Sequence, residues 1–184
     1  MSNLKSQISA LIGGIEGDAL VTDVPNRFIS VSTADCVPIL LFDPVKNVAA
    51  AIHAGWRGTV LNIVGKTIRK MTLLYGVQPG SLLAGIGPAI HACCFEVGPD
   101  VVSAVEMQTP YSDQVFRQEA EKEEKGLWQL DLIKLNHLQL LDAGLPPNQI
   151  ADSGLCTSCL PNLFYSFRRD REKRGSMISG IMLL

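Results

Sequence analysis

A chain of 184 residues with 47% hydrophobic and 18% charged side chains is long enough for one domain with a substantial core, and such a composition excludes disorder. Its formal charge of −2 gives no general attraction to nucleic acid or an anionic membrane, and no apolar run reaches the roughly 20 residues of a membrane span. Five cysteines, an odd number in a chain large enough to fold without cross-links, predict free or ligating thiols and a cytoplasmic location.

The opening "MSNLKSQISALIGGIEGD" has one lysine and a short apolar patch but no small-x-small cleavage site, which predicts mature protein and no signal peptide. Strand patterns follow in "DALVT", in "RFISVST" with Ile29, Val31 and Thr33 alternating, in "VPILLF" and in "VAAAIH". Asp43 and Pro44 predict a turn between the last two. From about Thr59 the period lengthens: Val60, Leu61, Val64, Ile68 and Met71 predict one amphipathic helix closed by Gly76.

"SLLAGIG" predicts a buried strand, and "GPDVVSAVEM" a short helix with Pro99 in its first turn. Residues 111–126 are the most polar section and predict a solvated loop or helix face. "DLIKLNHLQLLDAG" is a second clear helix with Asp131 as N-cap. "NLFYSF" and "SMISGIMLL" predict two strands around a charged hairpin tip, "RRDREKRG". Strands and helices mix without strict βαβ alternation, so the expected class is α+β with a mixed sheet in a single domain, residues 1–184.

If Asp43 faces Lys46 across the turn, Cys36 and His53 lie directly opposite each other on one sheet face, with Cβ atoms about 4.5–5.5 Å apart. That juxtaposition suits two ligands of a zinc ion or a thiol with its general base. Either residue alone is more often part of a core. The glycine-flanked "HAGWRG" beside them shifts the balance toward a site. Gly55 and Gly58 permit close backbone approach, a helix start near Thr59 presents free N–H groups, and Arg57 is placed to grip a phosphate.

"GIGPAIHACCFEVG" joins two thiols, Cys93 and Cys94, to His91 and Glu96, and a tight turn into a strand accounts for it nearly as well as a pocket loop. "CTSC" at 156–159 has ligand spacing without a second such pair, so a structural role is expected. The H-x-E…P-C-x-x-C signature of zinc deaminases is absent, because Ala54 and Gly55 follow His53.

"STADCVPILLFDP", "HAGWRG", "GIGPAIHACCFEVG" and "FYSFRRD", in this order, resemble the signature blocks of the YfiH-like laccase-domain family. Its members have been called multicopper polyphenol oxidases and purine nucleoside enzymes. The resemblance implies a four-layer α/β/β/α fold, a zinc site and phosphorolysis of adenosine, inosine and methylthioadenosine, with adenosine deamination besides. It makes Cys36 and His53 two of three metal ligands, and it places the loop with Cys94 at the pocket and an arginine of the "RRD" block, Arg168 or Arg169, at the substrate, with Arg168 taken as the candidate. The third ligand, a histidine of a Q-x-H-G-like block, falls upstream of "EGDALVT", which implies a shortened chain; His91, Cys93 or Cys94 are the substitutes.

Asp35, next to Cys36, is expected to orient a ligand or accept a proton. Purine nucleosides and phosphate are the expected partners of a monomer or homodimer, without nucleic acid or membrane. Copper is the alternative ion, although three histidines are too few for a laccase. A Cys36–His53 hydrolase and a non-catalytic nucleoside binder complete the alternatives.

Overall fold

In the computed structural model, which describes residues 17–117, 127–173 and 175–184, the first part of the chain forms four strands. These are β1 (Ala19–Thr22), β2 (Phe28–Thr33), β3 (Val37–Asp43) and β4 (Val48–Ala54). Later come β5 (Leu83–Ile86), β6 (Glu96–Val97), β7 (Phe116–Arg117), β8 (Trp128–Leu130), β9 (Ile150–Asp152) and β10 (Met177–Met182). A five-stranded sheet runs β1-β4-β3-β5-β9, with β5 and β9 parallel and the other pairs antiparallel. β10 pairs with β2 in a second sheet, and β6-β8-β7 make a third.

The period of two decides which side chains meet which layer. Val37, Ile39, Leu41, Ala50, Ile52 and Ala54 face a core completed by helices. Leu40 and Ala51, on the other face, pack against Ile29, Val31 and Ile181 of the second sheet. The described residues therefore stack helices, the five-stranded sheet and the two-stranded sheet, three layers of the expected α/β/β/α order. No described helix is long and apolar enough to cross a membrane.

The helix expected from Thr59 is two: α1 (Trp56–Val60) and α2 (Ile63–Tyr75). Asn62 causes the break. It adopts a left-handed φ of 53°, and its side chain accepts a bond from Gly65 N at 2.9 Å. A Cβ on Gly65 would lie 2.7 Å from Asn62 Oδ1, so only glycine lets this cap close. α3 (Pro99–Gln108) and α4 (Ser112–Val115) follow, and residues 118–126 of the polar section lie outside the described residues. α5 (Leu132–Asp142) starts where Asp131 accepts from Lys134 N at 2.9 Å, as the N-cap pattern predicts. Asn136 and Gln139 turn its buried face toward α1: Asn136 Nδ2 donates to Thr59 Oγ1 and Gln139 Nε2 to the Thr59 carbonyl, at 3.0 and 2.7 Å.

"NLFYSF" is not a strand. Turns occupy 161–163, and α6 (Phe167–Asp170) begins after Ser166, whose hydroxyl accepts from Arg169 N. A 3-10 turn, Arg171–Lys173, stands where a hairpin tip was expected. Capping and bonds to Asp35 override the alternating pattern here.

Candidate active site

A cavity of about 760 Å³ opens at the end of the five-stranded sheet where β3 begins and β4 ends. This volume is in the range of small-molecule sites. Thr33 of β2, Asp35 and Cys36 ahead of β3, and His53 near the end of β4 line it, with Ser176 beside β10.

The hairpin register differs from the expected one. His53 pairs with Pro38, and Asp43 pairs with Val48, so four residues form the turn and Asn47 takes a left-handed φ of 53°. Asp43 Oδ1 accepts from Val45 N and Lys46 N at 2.8 and 3.1 Å, which accommodates the longer loop. The slip is two residues, and an even slip keeps every side chain on its face. Cys36 is thus diagonal to His53 and still on the same side of the sheet.

The two side chains converge over Gly55. A Cβ there would stand 3.2 Å from Cys36 Sγ, 3.8 Å from His53 Cε1 and 4.0 Å from His53 Nε2. Glycine leaves this cradle open. The other ring nitrogen, Nδ1, lies 2.9 Å from Asp18 Oδ1, and His53 N donates to the Asp18 carbonyl at 2.7 Å. β1 pairs with β4 as Ala19 to Ile52, which brings Asp18 beside His53. No short motif signals Asp18; only knowledge of this strand pairing could have found it.

The contact with Cys36 is the main influence on His53, burial opposes it and Asp18 reinforces it, and together they push the imidazole pKa up to about 9. A carboxylate on one nitrogen and an open second nitrogen beside a thiol is the arrangement of a metal-ligating histidine. Sulfur and imidazole donors suit zinc, and copper accepts the same pair. Among the described residues no further Cys, His, Asp or Glu joins the pair to form a three-donor group.

Asp35 is held by three donors from the cavity walls. Its carboxylate accepts from Thr157 Oγ1 at 2.6 Å, Ser166 Oγ at 3.0 Å and Arg168 N at 2.6 Å. It is 8% exposed and has a φ of 91°, uncommon for a residue with a Cβ. These bonds fasten three separate segments around the cavity, so Asp35 positions walls.

Arg168 lines the cavity, donates from Nη2 to the Glu96 carbonyl at 2.7 Å and lies 5.4 Å from the Phe95 ring centre. Arg171 lines it too, 5.9 Å from the Phe167 ring. Arg169 turns away and binds the carbonyls of Thr157, Ser158 and Phe164. Phe95, Phe167 and Arg171 escaped sequence reasoning, because single residues in turns and very short helices carry no periodicity.

Arg57 is exposed, stacks 4.3 Å from the Trp56 ring and is not among the lining residues. α1 starts at Trp56 and has five residues, which leaves little dipole for the anion site expected near Thr59. Gly58 lies within α1, whereas Gly55 is its N-cap. Cys94 also stands outside the lining. Its Sγ is 3.4 Å from Cys159 Sγ, in a group with Cys93 and Cys156. The thiols that stand beside those of "CTSC" are therefore Cys93 and Cys94.

Residues 4–184 match the model of a family described as multi-copper polyphenol oxidoreductase laccase. Purine nucleoside phosphorylase YlmD of Bacillus subtilis is 42% identical over 164 residues, covering 89% of this chain and 58% of that protein. Adenosine deaminase RL5, from an unknown prokaryotic organism, is 38% identical over 169 residues, covering 91% and 63%. The crystal structure of Bacillus licheniformis YfiH superposes with a TM-score of 0.83 at 40% identity, covering 91% of this chain and 61% of that one. The chain spans about three fifths of the length of these relatives.

Proposed function

This chain belongs to the laccase-like, YfiH-type family, and on that premise we propose that its cavity is a site of purine nucleoside phosphorolysis. The observation that carries the reading is the meeting of Cys36 Sγ and His53 over Gly55, inside a cavity that two guanidinium groups also line.

Each substrate part has a counterpart there. Phosphate suits Arg168 and Arg171, since guanidinium pairs with oxyanions through charge-assisted bonds. A purine suits the flat apolar surfaces of Trp56, Phe95 and Phe167. In the reaction a phosphate oxygen bonds to ribose C1′ while the bond from C1′ to the base nitrogen breaks. The bonding pair leaves with the base, which takes up a proton.

Zinc held by Cys36 Sγ and His53 Nε2 would supply a Lewis acid at the cavity floor. Asp18 fixes the imidazole so that Nε2 stays turned to that point. Asp35 keeps Arg168 and Thr157 at the wall.

The test is release of base from adenosine, inosine and methylthioadenosine, followed by chromatography with and without phosphate. Phosphate-dependent release in the zinc-loaded protein, abolished in Cys36→Ala, is the expected result. Zinc-loaded protein that releases no base from any of the three would overturn the proposal. Adenosine deamination is a second reading, favoured by the likeness to RL5, and inosine formed without phosphate would reveal it.

A further inference from the structure

The bridge between Ala89 and Cys156 runs parallel, with Thr157 N donating to the Ala89 carbonyl at 3.0 Å. It lays the "CTSC" loop against the turn in which Cys94 N and Phe95 N both donate to the His91 carbonyl. Four thiols from two distant segments meet as a result. Cys93 Sγ is 3.8 Å from Cys94, 3.9 Å from Cys156 and 3.6 Å from Cys159, and Cys94 is 3.4 Å from Cys159. All four sulfurs lie within 4.8 Å of one another.

We propose that Cys93, Cys94, Cys156 and Cys159 bind one zinc ion as a tetrathiolate centre, separate from Cys36 and His53, that ties two walls of the cavity together. A zinc–sulfur bond of about 2.3 Å requires sulfurs about 3.8 Å apart at the corners of a tetrahedron. The observed separations bracket that edge. A disulfide would join only two of the four, and all five cysteines of the chain are free thiols.

Arg169 donates to the carbonyls of Thr157 and Ser158 at 2.9 and 3.1 Å, which sets a cation beside the loop whose metal centre would carry net negative charge. Binding would release up to four thiol protons, one from each sulfur still protonated. Tetrahedral four-sulfur geometry is also that of iron centres, so the identity of the ion belongs to the test.

Neighbours of these cysteines give the ion a structural role. Phe95 follows Cys94 and lines the cavity, and Thr157 follows Cys156 and binds Asp35. An ion between the two segments fixes both at their cysteine ends.

The experiment uses the full chain carrying Cys36→Ala and His53→Ala, stripped with chelator under reductant. Cobalt(II) is expected to bind at one equivalent per chain. It should show thiolate-to-cobalt charge transfer in the near ultraviolet and the strong visible bands of tetrahedral geometry, and zinc should displace it one for one. Adding Cys159→Ser is expected to weaken binding at least tenfold. Cys159 is exposed, so an unchanged circular dichroism spectrum separates lost ligation from lost fold. Zinc should raise the melting temperature of the double variant and not of the triple variant. The proposal is overturned if the reduced double variant binds no cobalt, if its spectrum is octahedral, if purified protein carries iron in place of zinc, or if a disulfide within the quartet persists under reductant. Absence of phosphorolysis would leave all of these readouts unchanged.

Discussion

Cys36 with His53, and the four clustered cysteines, are both sulfur sites, yet the chain builds them by different means. His53 lies in β4 and Cys36 immediately precedes β3 of the same hairpin, so backbone bonds of the sheet hold both places whether or not a ligand is present. The second group joins segments 63 to 66 residues apart through loops, one isolated bridge and a few side-chain bonds. Strand-borne side chains are held by cooperative structure, whereas loop-borne ones depend on local ties. The strand site should therefore lose chemistry when mutated and keep its fold, and the loop walls should lose order first.

Cys36→Ala is the sharpest break of that contrast. We expect a fall of more than about a hundredfold in kcat/KM for phosphorolysis, since even partners one step removed from a metal ligand cost 10–100-fold. Its melting temperature should stay close to that of the unmodified protein. Asp35→Ala should do the reverse. Three donors lose a buried acceptor, and urea unfolding should register a loss of about 3 kcal/mol. Should the two variants exchange these phenotypes, the division of labour between floor and walls is wrong.

Asp18→Asn leaves the ligands in place and loosens only the imidazole, so calorimetric zinc affinity should drop about tenfold or somewhat more. Gly55→Ala adds a methyl 3.2 Å from Cys36 Sγ and is expected to weaken zinc by about tenfold, or about 1.4 kcal/mol. The smallest effect concerns two arginines. Arg168→Ala should raise the KM for phosphate severalfold, while exposed Arg57→Ala should alter stability by about 0.5 kcal/mol or less and the phosphate KM less than Arg168→Ala does. Steady-state titration with phosphate ranks them.

Much of the strand site was legible from residues 30–58, because face assignment depends on parity and survived an error in the turn. The expected two-residue turn was wrong, as Asp43 wraps its carboxylate around Val45 N and Lys46 N and lengthens the loop. Asp18 stayed hidden because pairing of β1 with β4 leaves no local signature. The cysteine quartet was illegible for a related reason: adjacent Cys93 and Cys94 do not have the spacing of a ligand pair, and only tertiary structure brings them to "CTSC". "NLFYSF" misled through its alternation, which counts for little where Ser166 and Arg168 N are captured by a buried carboxylate.

Asp35 has a consequence for movement around the cavity. One charged group moors the entrance of β3, Thr157 and the start of α6, so these parts can move only as a unit unless charge-assisted bonds are given up. Arg171, Gly175 and Ser176 border the same space and none of those moorings reaches them. Loss of the Asp35 carboxylate is therefore expected to free the moored parts together and to leave Arg171, Gly175 and Ser176 unaffected by it.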